Sequence, residues 1–370
     1  MDEEILRAIN RLQYMTAAQV GRLLYPNQHD KNRYAQRRLR RLAEAGYLLR
    51  LRELPTPRLG SAPLVFTLAD KGRRFVAGRG EVLPSSYFRP SEERAKARDN
   101  PFMEHTLAAV DVLVAAQSLC REFEVSMPRL LNERQLKRSS IRVQPAGRPE
   151  APRVAVIPDA WFQLTVPDSE PVSIALELDR GTEGQKHWRR KVAALTAWAE
   201  GPYRKAFETD NLTVAVVAPT KVRRDHLSAW TAEELASIGK SELADIFLFT
   251  NASPVTTEPF ELFFGPCWYP AGESHPVSLL DAQPETARAQ PTVSVTPKPS
   301  SAKQLRDPRS DTPIPWAPPP EKPPLPAAFA RQADVPAPEP ETPVAPDELD
   351  EPDDEACWNL MENEREVGGA

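Results

Sequence analysis

Carboxylates lie within or at the end of two apolar runs of this sequence. Residues 172–178 predict a buried strand, and Glu177 lies near its end, at the start of the phrase Glu-Leu-Asp-Arg-Gly-Thr-Glu. Residues 154–166 form a second apolar run, which carries Asp159 directly after a proline. Carboxylates at the ends of adjacent core strands are costly to bury unless they are paired or hold a metal. The sequence therefore predicts that Asp159 and Glu177 belong to a site for a divalent cation and a phosphate.

Two simpler interpretations of these carboxylates stay open. Pro-Asp is common in turns, so Asp159 could mark only the end of a strand. Glu177 and Asp179 could instead form salt bridges with the arginines at positions 180, 189 and 190. The matching strand contexts of the two acidic positions favour the phosphate or metal site.

The elements that must position these carboxylates alternate between helix and strand. Residues 102–123 predict a long amphipathic helix that carries Glu104, His105 and Asp111. The overall order predicts an α/β fold in which a sheet lies between helices. Further helices are predicted at 185–198 and 227–238, and strands at 123–126, 154–166, 172–178, 212–218, 246–250 and 262–264.

Residues 1–77 predict a separate unit that begins with three helices. Apolar residues recur at helical spacing near the N-terminus, and Thr16 suits the N-cap of a helix over 17–24. A third helix over 31–45 ends at Gly46, which suits the residue after a helix C-terminus.

An antiparallel hairpin is predicted after the third helix. Apolar strands at 48–54 and 64–68 enclose the proline-rich loop 55–63, which carries Arg58. Three helices followed by a hairpin are the layout of a winged helix-turn-helix.

The third predicted helix is strongly basic. Ala35, Leu39 and Leu42 share one face, and arginines occupy the opposite face and its flanks. A stripe of guanidinium groups fits a major groove, where arginine meets phosphates and guanine edges. A solvated basic face is the simpler alternative, but the position before the hairpin favours binding of double-stranded DNA. The arginines predicted to contact DNA are Arg33, Arg37, Arg38, Arg40 and Arg41, with Arg58 in the loop.

Charge and proline are unevenly distributed along the chain. Residues 1–80 hold 16 Lys and Arg against 7 Asp and Glu, whereas residues 339–366 hold 12 acidic residues and one basic residue. Residues 281–346 contain 18 prolines, which predicts disorder with polyproline II character. We therefore expect a linker at 78–100 and a disordered tail over 271–370, first Pro-rich and then acidic.

The acidic tail encloses the sequence Cys-Trp-Asn-Leu-Met at 357–361. Apolar residues of this kind in an otherwise disordered segment predict a short motif that docks a replication or transfer protein. Alternatively, the tail only competes with DNA for the basic N-terminal unit.

The composition argues against several protein classes. Three widely separated cysteines, with no CxxC pair, argue against structural zinc and fit a reducing compartment. The acidic N-terminus lacks a signal-peptide core, and no uncharged apolar run approaches the roughly 20 residues needed to span a bilayer. We expect a soluble cytoplasmic protein with no membrane partner.

The acidic motifs resemble the PD-(D/E)xK nuclease superfamily. Asp159 matches the first acidic position, and Glu177 follows 18 residues later. The superfamily expects Glu-x-Lys, whereas this chain has Glu-Leu-Asp, so the lysine is absent from its usual strand position. Some relatives place it on the following helix, where Lys191 is the first candidate and Lys186 the second.

Residues 1–265 as a whole resemble the replication-relaxation family of plasmids and integrative elements, which is similar to the MobC-type relaxases. The resemblance rests on the basic winged helix, on Glu-His-Thr-Leu at 104–107, on Pro-Asp-Ala at 158–160 and above all on the phrase at 177–183. It implies a PD-(D/E)xK-like nuclease domain over 101–270. It also implies work on mobile-element DNA: origin binding, nicking or relaxation, transfer (conjugation) or replication.

The same resemblance implies roles for individual residues. Carboxylates would hold Mg²⁺, and Lys191 would orient the attacking water or stabilise charge on phosphorus. Glu104 could hold a metal-bound water, and Arg180 could contact the DNA backbone. His105 could lie near this site, although a lone helical histidine more often makes a structural hydrogen bond. The implied catalytic residues are Asp159, Glu177, Lys191, Glu104 and His105, and the implied metal ligands are Asp159, Glu177 and Asp179.

Three functions stay open at this point. The first is a Mg²⁺-dependent DNA endonuclease or relaxase of a mobile element. The second is a winged-helix initiator, accessory factor or transcriptional regulator whose nuclease-like domain is inactive, and the third is an adaptor that acts through its tail. No His-x-His pair and no GxxxxGK[ST] phosphate loop occurs, which argues against a tyrosine relaxase and against ATP-driven unwinding.

Overall fold

The structure is a computed structural model that describes residues 1–51, 63–81, 103–181 and 183–281. Within these ranges the chain is a mixed α/β protein with helices and several sheets, as predicted. Arg58 and its loop, most of the predicted linker and the chain after residue 281 lie outside the described residues. No helix in the ranges given above combines the length and apolar character needed to cross a membrane.

The N-terminal part contains the three predicted helices. Thr16 caps the second, because its hydroxyl accepts a hydrogen bond from the Gln19 backbone N–H at 3.3 Å. The Gln19 side chain accepts one in return from the Thr16 N–H at 2.9 Å, which completes a capping box. Gly46 follows the third helix with φ +78°, as its predicted position requires. The elements are α1 (Asp2–Leu12), β1 (Met15–Thr16), α2 (Ala17–Leu24), α3 (Lys31–Glu44), β2 (Leu48–Leu51), β3 (Val65–Leu68) and α4 (Asp70–Ala77).

A three-stranded antiparallel sheet completes this part. Its order is β1-β3-β2, with Met15 opposite Phe66 and Leu48 opposite Leu68. The apolar faces of the three helices pack beneath it, and the sequence alone did not predict α4 or the pairing of β1. The buried side chains at the centre include Ile5, Ile9, Val20, Ala35 and Leu39.

Gly72 of α4 lies where a side chain has no room. A Cβ at this position would be 2.2 Å from the backbone oxygen of Tyr47. We expect Gly72→Ala to lower the free energy of unfolding by about 1–3 kcal/mol through overpacking, measured by urea denaturation. Gly78→Ala is the control, since its Cβ would meet its nearest atom at 3.3 Å and its φ of −65° suits any residue. Equal losses in the two variants would contradict this explanation.

The remaining chain forms a helix followed by alternating strands and helices. The elements are α5 (Met103–Glu122), β4 (Leu130–Asn132), α6 (Glu133–Arg138), β5 (Ile141–Val143), β6 (Val154–Val156), β7 (Ala160–Leu164), β8 (Val172–Leu178), α7 (Gln185–Glu200), α8 (Tyr203–Phe207), β9 (Thr213–Val217), α9 (Lys221–Ser237), a 3-10 helix (Ser241–Ile246), β10 (Phe247–Thr250), α10 (Pro259–Phe264) and β11 (Tyr269–Pro270).

A six-stranded sheet in the order β11-β10-β9-β8-β7-β4 organises these elements. Strands β8, β9 and β10 are parallel, and the remaining pairs are antiparallel. Parallel neighbours need crossover connections, which α7 and α9 provide. Side chains alternate between faces along β8: Ile174, Leu176 and Leu178 join the core cluster that contains the apolar residues of α5, whereas Ala175 joins the cluster of α7 and α9.

The apolar run 154–166 is two strands rather than the one expected. Pro158 lacks a backbone N–H, so it cannot continue a strand ladder, and the run breaks there. Strand β6 pairs with β5 in a separate two-stranded sheet, and β7 begins directly after Asp159. The break places Asp159 at the start of a strand of the main sheet.

Three other elements differ from the predictions. Residues 262–264 belong to helix α10, not to a strand, and Pro259 begins that helix at a position where its missing N–H has no cost. Residues 123–126 contribute a single bridge from Ser126 instead of a strand. The folded chain also continues past residue 270, where Leu279 and Leu280 are buried against the core.

Polar contacts connect α2 to α5. The Gln19 side-chain amide donates to the Leu107 carbonyl at 2.8 Å and to Asp111 Oδ1 at 3.0 Å. Arg22 forms an ion pair with the same carboxylate and donates to the Pro254 carbonyl at 3.0 Å. Asp111 is therefore a link between the N-terminal helices and the helix on which the candidate site begins.

Candidate active site

Antiparallel pairing of β7 with β8 brings the two predicted acidic residues together. Ala160 lies opposite Leu176, and the Asp159 backbone N–H donates to the Leu176 carbonyl at 2.9 Å. The start of β7 and the end of β8 therefore lie at the same end of the sheet, and Asp159 and Glu177 are near each other there. The carboxyl ends of the parallel strands β9 and β10 meet at this end too, which is where α/β sheets commonly bind ligands.

Asp159 is held from two sides. Its Oδ1 lies 2.7 Å from Nε2 of His105, in the first turn of α5. Its Oδ2 accepts a 2.7 Å hydrogen bond from the Leu178 backbone N–H. The hydrogen bond to Asp159 raises the pKa of His105, and burial of the imidazole offsets part of that rise. His105 thus orients this carboxylate.

Lys191 of α7 lies between two other carboxylates. Its Nζ is 2.8 Å from Oε2 of Glu177 and 3.2 Å from Oε1 of Glu183. Glu177 is only 2% exposed, whereas 27% of the Lys191 side chain is accessible. The cation beside Glu177 is therefore Lys191 of α7, whereas the other candidate, Lys186, is exposed at the start of that helix.

Burial and neighbouring charges shift the pKa values of Glu177 and Lys191. Burial raises the pKa of Glu177 to about 8; the charges of Asp159 and Glu183 act in the same direction, and Lys191 opposes them. Burial lowers the pKa of Lys191, but the three carboxylates outweigh burial and raise that pKa above its ordinary value. Lys191 therefore remains a cation beside these acidic side chains.

Asp179 is engaged by an arginine instead of facing the cluster. Its side chain is fully buried, and Arg223 of α9 donates to both carboxylate oxygens at 2.7 Å. The Gly181 N–H donates to Oδ2 at 2.9 Å, and Arg223 also donates to the Glu183 carbonyl at 2.6 Å. The predicted third metal ligand thus stabilises the turn after β8, which agrees with the salt-bridge alternative but involves a different arginine.

Glu104 and Arg180 form an ion pair with each other. Both side chains are partly exposed, at 41% and 45%. Exposed ion pairs contribute little to stability, so this pair can open when a ligand binds. The two residues remain candidates for water positioning and DNA contact.

The basic helix α3 presents most of its predicted arginines to solvent. Arg33, Arg37 and Arg41 are exposed and have no ion-pair partner within the described part of the chain. Arg40 lies 3.8 Å from Glu44, and Arg38 is turned toward Asp2 of α1 at 2.8 Å. The first three are therefore the side chains most available to a phosphate backbone.

Sequence reasoning did not single out Glu183 or Arg223. Glu183 ends the acidic phrase, so its position was visible, but its contact with Lys191 depends on the tertiary structure. Arg223 follows β9, more than 40 residues from Asp179 in sequence, and no local pattern connects them. Among the residues that the structure describes, no group of three or more His, Cys, Asp or Glu side chains is arranged to hold a metal ion.

Comparison with known proteins identifies a family. A family model described as replication-relaxation matches residues 6–213, which is more than half of the 370 residues. The matched region contains α3, Asp159, Glu177 and Lys191, and it ends before Arg223. No curated protein and no solved structure matches the chain significantly.

Proposed function

The chain belongs to the replication-relaxation family, and from this premise we propose that it binds mobile-element DNA and nicks or relaxes it with Mg²⁺. Family membership indicates a role in the replication or relaxation of such an element. In the proposal, residues 1–77 act as a winged helix-turn-helix and the sheet-bearing part acts as a PD-(D/E)xK-like nuclease, as in MobC-type relaxases.

The contact between Lys191 and Glu177 carries the proposal. A phosphodiester-cleaving centre of this type needs two carboxylates and a lysine close together at the ends of neighbouring strands. Strand β8 itself lacks the lysine. Lys191 Nζ lies 2.8 Å from Glu177, and Asp159 is close enough to affect the pKa of both residues. The three groups thus lie near one another although they come from a strand start, a strand end and a helix.

The two carboxylates of Asp159 and Glu177 are suitable ligands for Mg²⁺. Mg²⁺ is usually held by one or two carboxylates together with waters and substrate phosphates, so a site of three protein ligands is not required. Asp159 and Glu177 would hold the ion through lone pairs that their present contacts leave free. Asp179 is left out because its side chain is fully buried, and its two oxygens accept three hydrogen bonds from Arg223 and the Gly181 N–H. Burial favours the neutral form of Glu177, and a bound cation would favour its ionised form instead.

The residues of this chain have distinct tasks in the proposed hydrolysis. When bound, Mg²⁺ would polarise the phosphodiester and activate water. His105 and the Leu178 N–H keep Asp159 in place, and the Lys191 ammonium stabilises negative charge that develops on the phosphate oxygens. The water oxygen forms a bond to phosphorus and loses one proton to solvent. The bond from phosphorus to one sugar oxygen breaks, and that oxygen takes up a proton from solvent.

Exposed arginines on α3 support DNA binding by the N-terminal part. Arg33, Arg37 and Arg41 lie on one accessible side of a helix that precedes an antiparallel pair of strands. Because α3 packs on α2 and α2 is connected to α5 through Asp111, DNA held by α3 would lie at a fixed position relative to the cluster.

Nicking of supercoiled plasmid tests the proposal. Wild-type protein is expected to convert a plasmid that carries its own element's origin to the open-circular form with Mg²⁺, but not with EDTA. Asp159→Asn should lower the nicking rate by about 100-fold or more, because the carboxylate charge that would hold the ion is lost. Glu170→Gln is the matched control, since Glu170 is exposed in the loop at the opposite end of β7 and β8. Nicking by Asp159→Asn at the wild-type rate would refute the assignment.

A second candidate function is DNA binding without cleavage, as an initiator or regulator. It is favoured by the extent to which arginine and lysine of the chain already neutralise Asp179 and Glu177. In that case wild-type protein would bind origin duplex but leave plasmid intact at every Mg²⁺ concentration. Binding should then be lost in Arg37→Gln with Arg41→Gln and retained in Asp159→Asn.

A further inference from the structure

A basic groove lies beside the first two turns of α7. Its volume is about 480 Å³, and it is lined by Arg148, Gln185, Lys186, Arg189, Arg190 and Glu234. The loop that carries Arg148 is held against α7 by a 2.9 Å hydrogen bond from the Ala146 N–H to the Ala193 carbonyl. The groove residues are distinct from Asp159, Glu177, Glu183 and Lys191 of the candidate active site.

The charges of this groove are only partly balanced. Arg148 is paired with the buried Glu234, and Arg189 is paired with Glu233. Lys186 and Arg190 are exposed, and their side chains form no ion pair within the described part of the chain. They lie four residues apart, so they share one face of the helix and form an uncompensated positive pair.

The groove is close to the candidate active site along the helix. Arg190 directly precedes Lys191, and Lys186 lies about 7.5 Å from Lys191 along the helix axis at the usual rise per residue. Lys186 and Arg190 project about 100–140° around the helix from Lys191, so a strand whose phosphate reaches Lys191 meets the groove by continuing around α7. Two exposed, unpaired cations one turn apart suit a strand better than a single small anion, because phosphates recur along a strand.

We propose that the groove formed by Arg148, Lys186, Arg189 and Arg190 binds the sugar–phosphate backbone of the DNA strand beyond the scissile phosphate. This inference rests on the proposed action on DNA, but it assigns a second contact surface, separate from α3. Lys186 and Arg190 make the new contacts, and the Arg148–Glu234 pair holds Arg148 in the lining of the groove.

The proposed groove contact is tested by the salt dependence of DNA binding, measured under conditions in which no cleavage occurs. Full-length protein in EDTA is titrated with a fluorescein-labelled oligonucleotide, as a single strand and as a duplex, at several KCl concentrations. Loss of two phosphate contacts in Lys186→Gln with Arg190→Gln should reduce the slope of log K against log [salt] by about 1.4 for a single strand or about 1.8 for a duplex. A change only on the single strand means that the groove takes an unpaired strand, and a change on the duplex means that it takes paired DNA.

Two control variants separate this effect from general loss of charge. Lys186→Arg with Arg190→Lys keeps both charges and should keep the slope. Arg204→Gln with Lys221→Gln removes two highly exposed cations elsewhere on the same part and should leave the slope unchanged. A slope for the groove variant equal to wild type on both probes overturns the inference, whatever the nicking assay shows. A reduced slope in a protein that never nicks supports the groove and rejects the proposed cleavage.

Discussion

Lys191→Met is expected to lower the nicking rate by about 100- to 1000-fold while origin binding through α3 stays intact. Removal of one preorganised group that stabilises transition-state charge typically has an effect of this size. Lys191 is the one cation within 3.2 Å of both Glu177 and Glu183 among the described residues, so no neighbour replaces it. Nicking of supercoiled plasmid and binding of labelled duplex are measured on the same preparations.

Lys191→Met also removes the partner of a buried carboxylate, so a structural effect must be separated from a catalytic one. The double variant Lys191→Met with Glu177→Gln removes both charges and leaves groups of similar size. We expect it to recover much of the unfolding free energy that the single variant loses, because no unpaired charge remains buried. It should still fail to nick, because Glu177, a proposed metal ligand, is lost as well. Recovery of nicking together with stability would show that neither Lys191 nor Glu177 takes part in cleavage.

Arg223→Met is expected to lower the free energy of unfolding by about 3–5 kcal/mol, the usual result of removing one partner of a buried ion pair. The Asp179 side chain is fully buried and receives two 2.7 Å hydrogen bonds from this guanidinium. The same arginine also donates to the Glu183 carbonyl, so its loss should loosen the contact of Glu183 with Lys191. Urea denaturation measures the change.

Lys221→Met provides the matched control for Arg223→Met. Lys221 lies two residues earlier in α9 and pairs with Asp225, but its side chain is 73% exposed. Exposed pairs contribute at most about 1 kcal/mol, so this variant should be nearly as stable as wild type. Asp179→Asn with Arg223→Met should recover part of the loss, since the amide still accepts the Gly181 hydrogen bond. A similar loss in both single variants would disprove the assigned role of the buried pair.

Local sequence patterns were sufficient for most individual elements. Thr16, Gly46 and the apolar spacing of α1 to α3 act through contacts within one or two turns, so their effects are visible in the sequence. The apolar run of β8 likewise specified a buried strand. The errors fell on short segments: residues 262–264 were assigned to a strand, although Pro259 begins a helix there.

The candidate site was only partly predictable. Asp159 and Glu177 were recognised because acidic residues rarely occur inside apolar strands, and Lys191 was chosen because the strand lacks a lysine. The pairing of Asp179 with Arg223 could not be foreseen from the sequence. Arg223 reaches Asp179 only because β8 and β9 pair in parallel. The uncompensated charge of Lys186 and Arg190 was equally hidden, because their neighbours Arg148 and Arg189 find acidic partners on α9.

The sequence by itself determined which residues have unusual chemistry for their surroundings, and it determined the helices and strands that carry them. Those properties follow from the side chains and from contacts between near neighbours in the chain. Only the tertiary structure decided which carboxylate pairs with which cation. Such pairing depends on strand order and on the packing of helices across the sheet, and these bring together residues as far apart as Asp179 and Arg223.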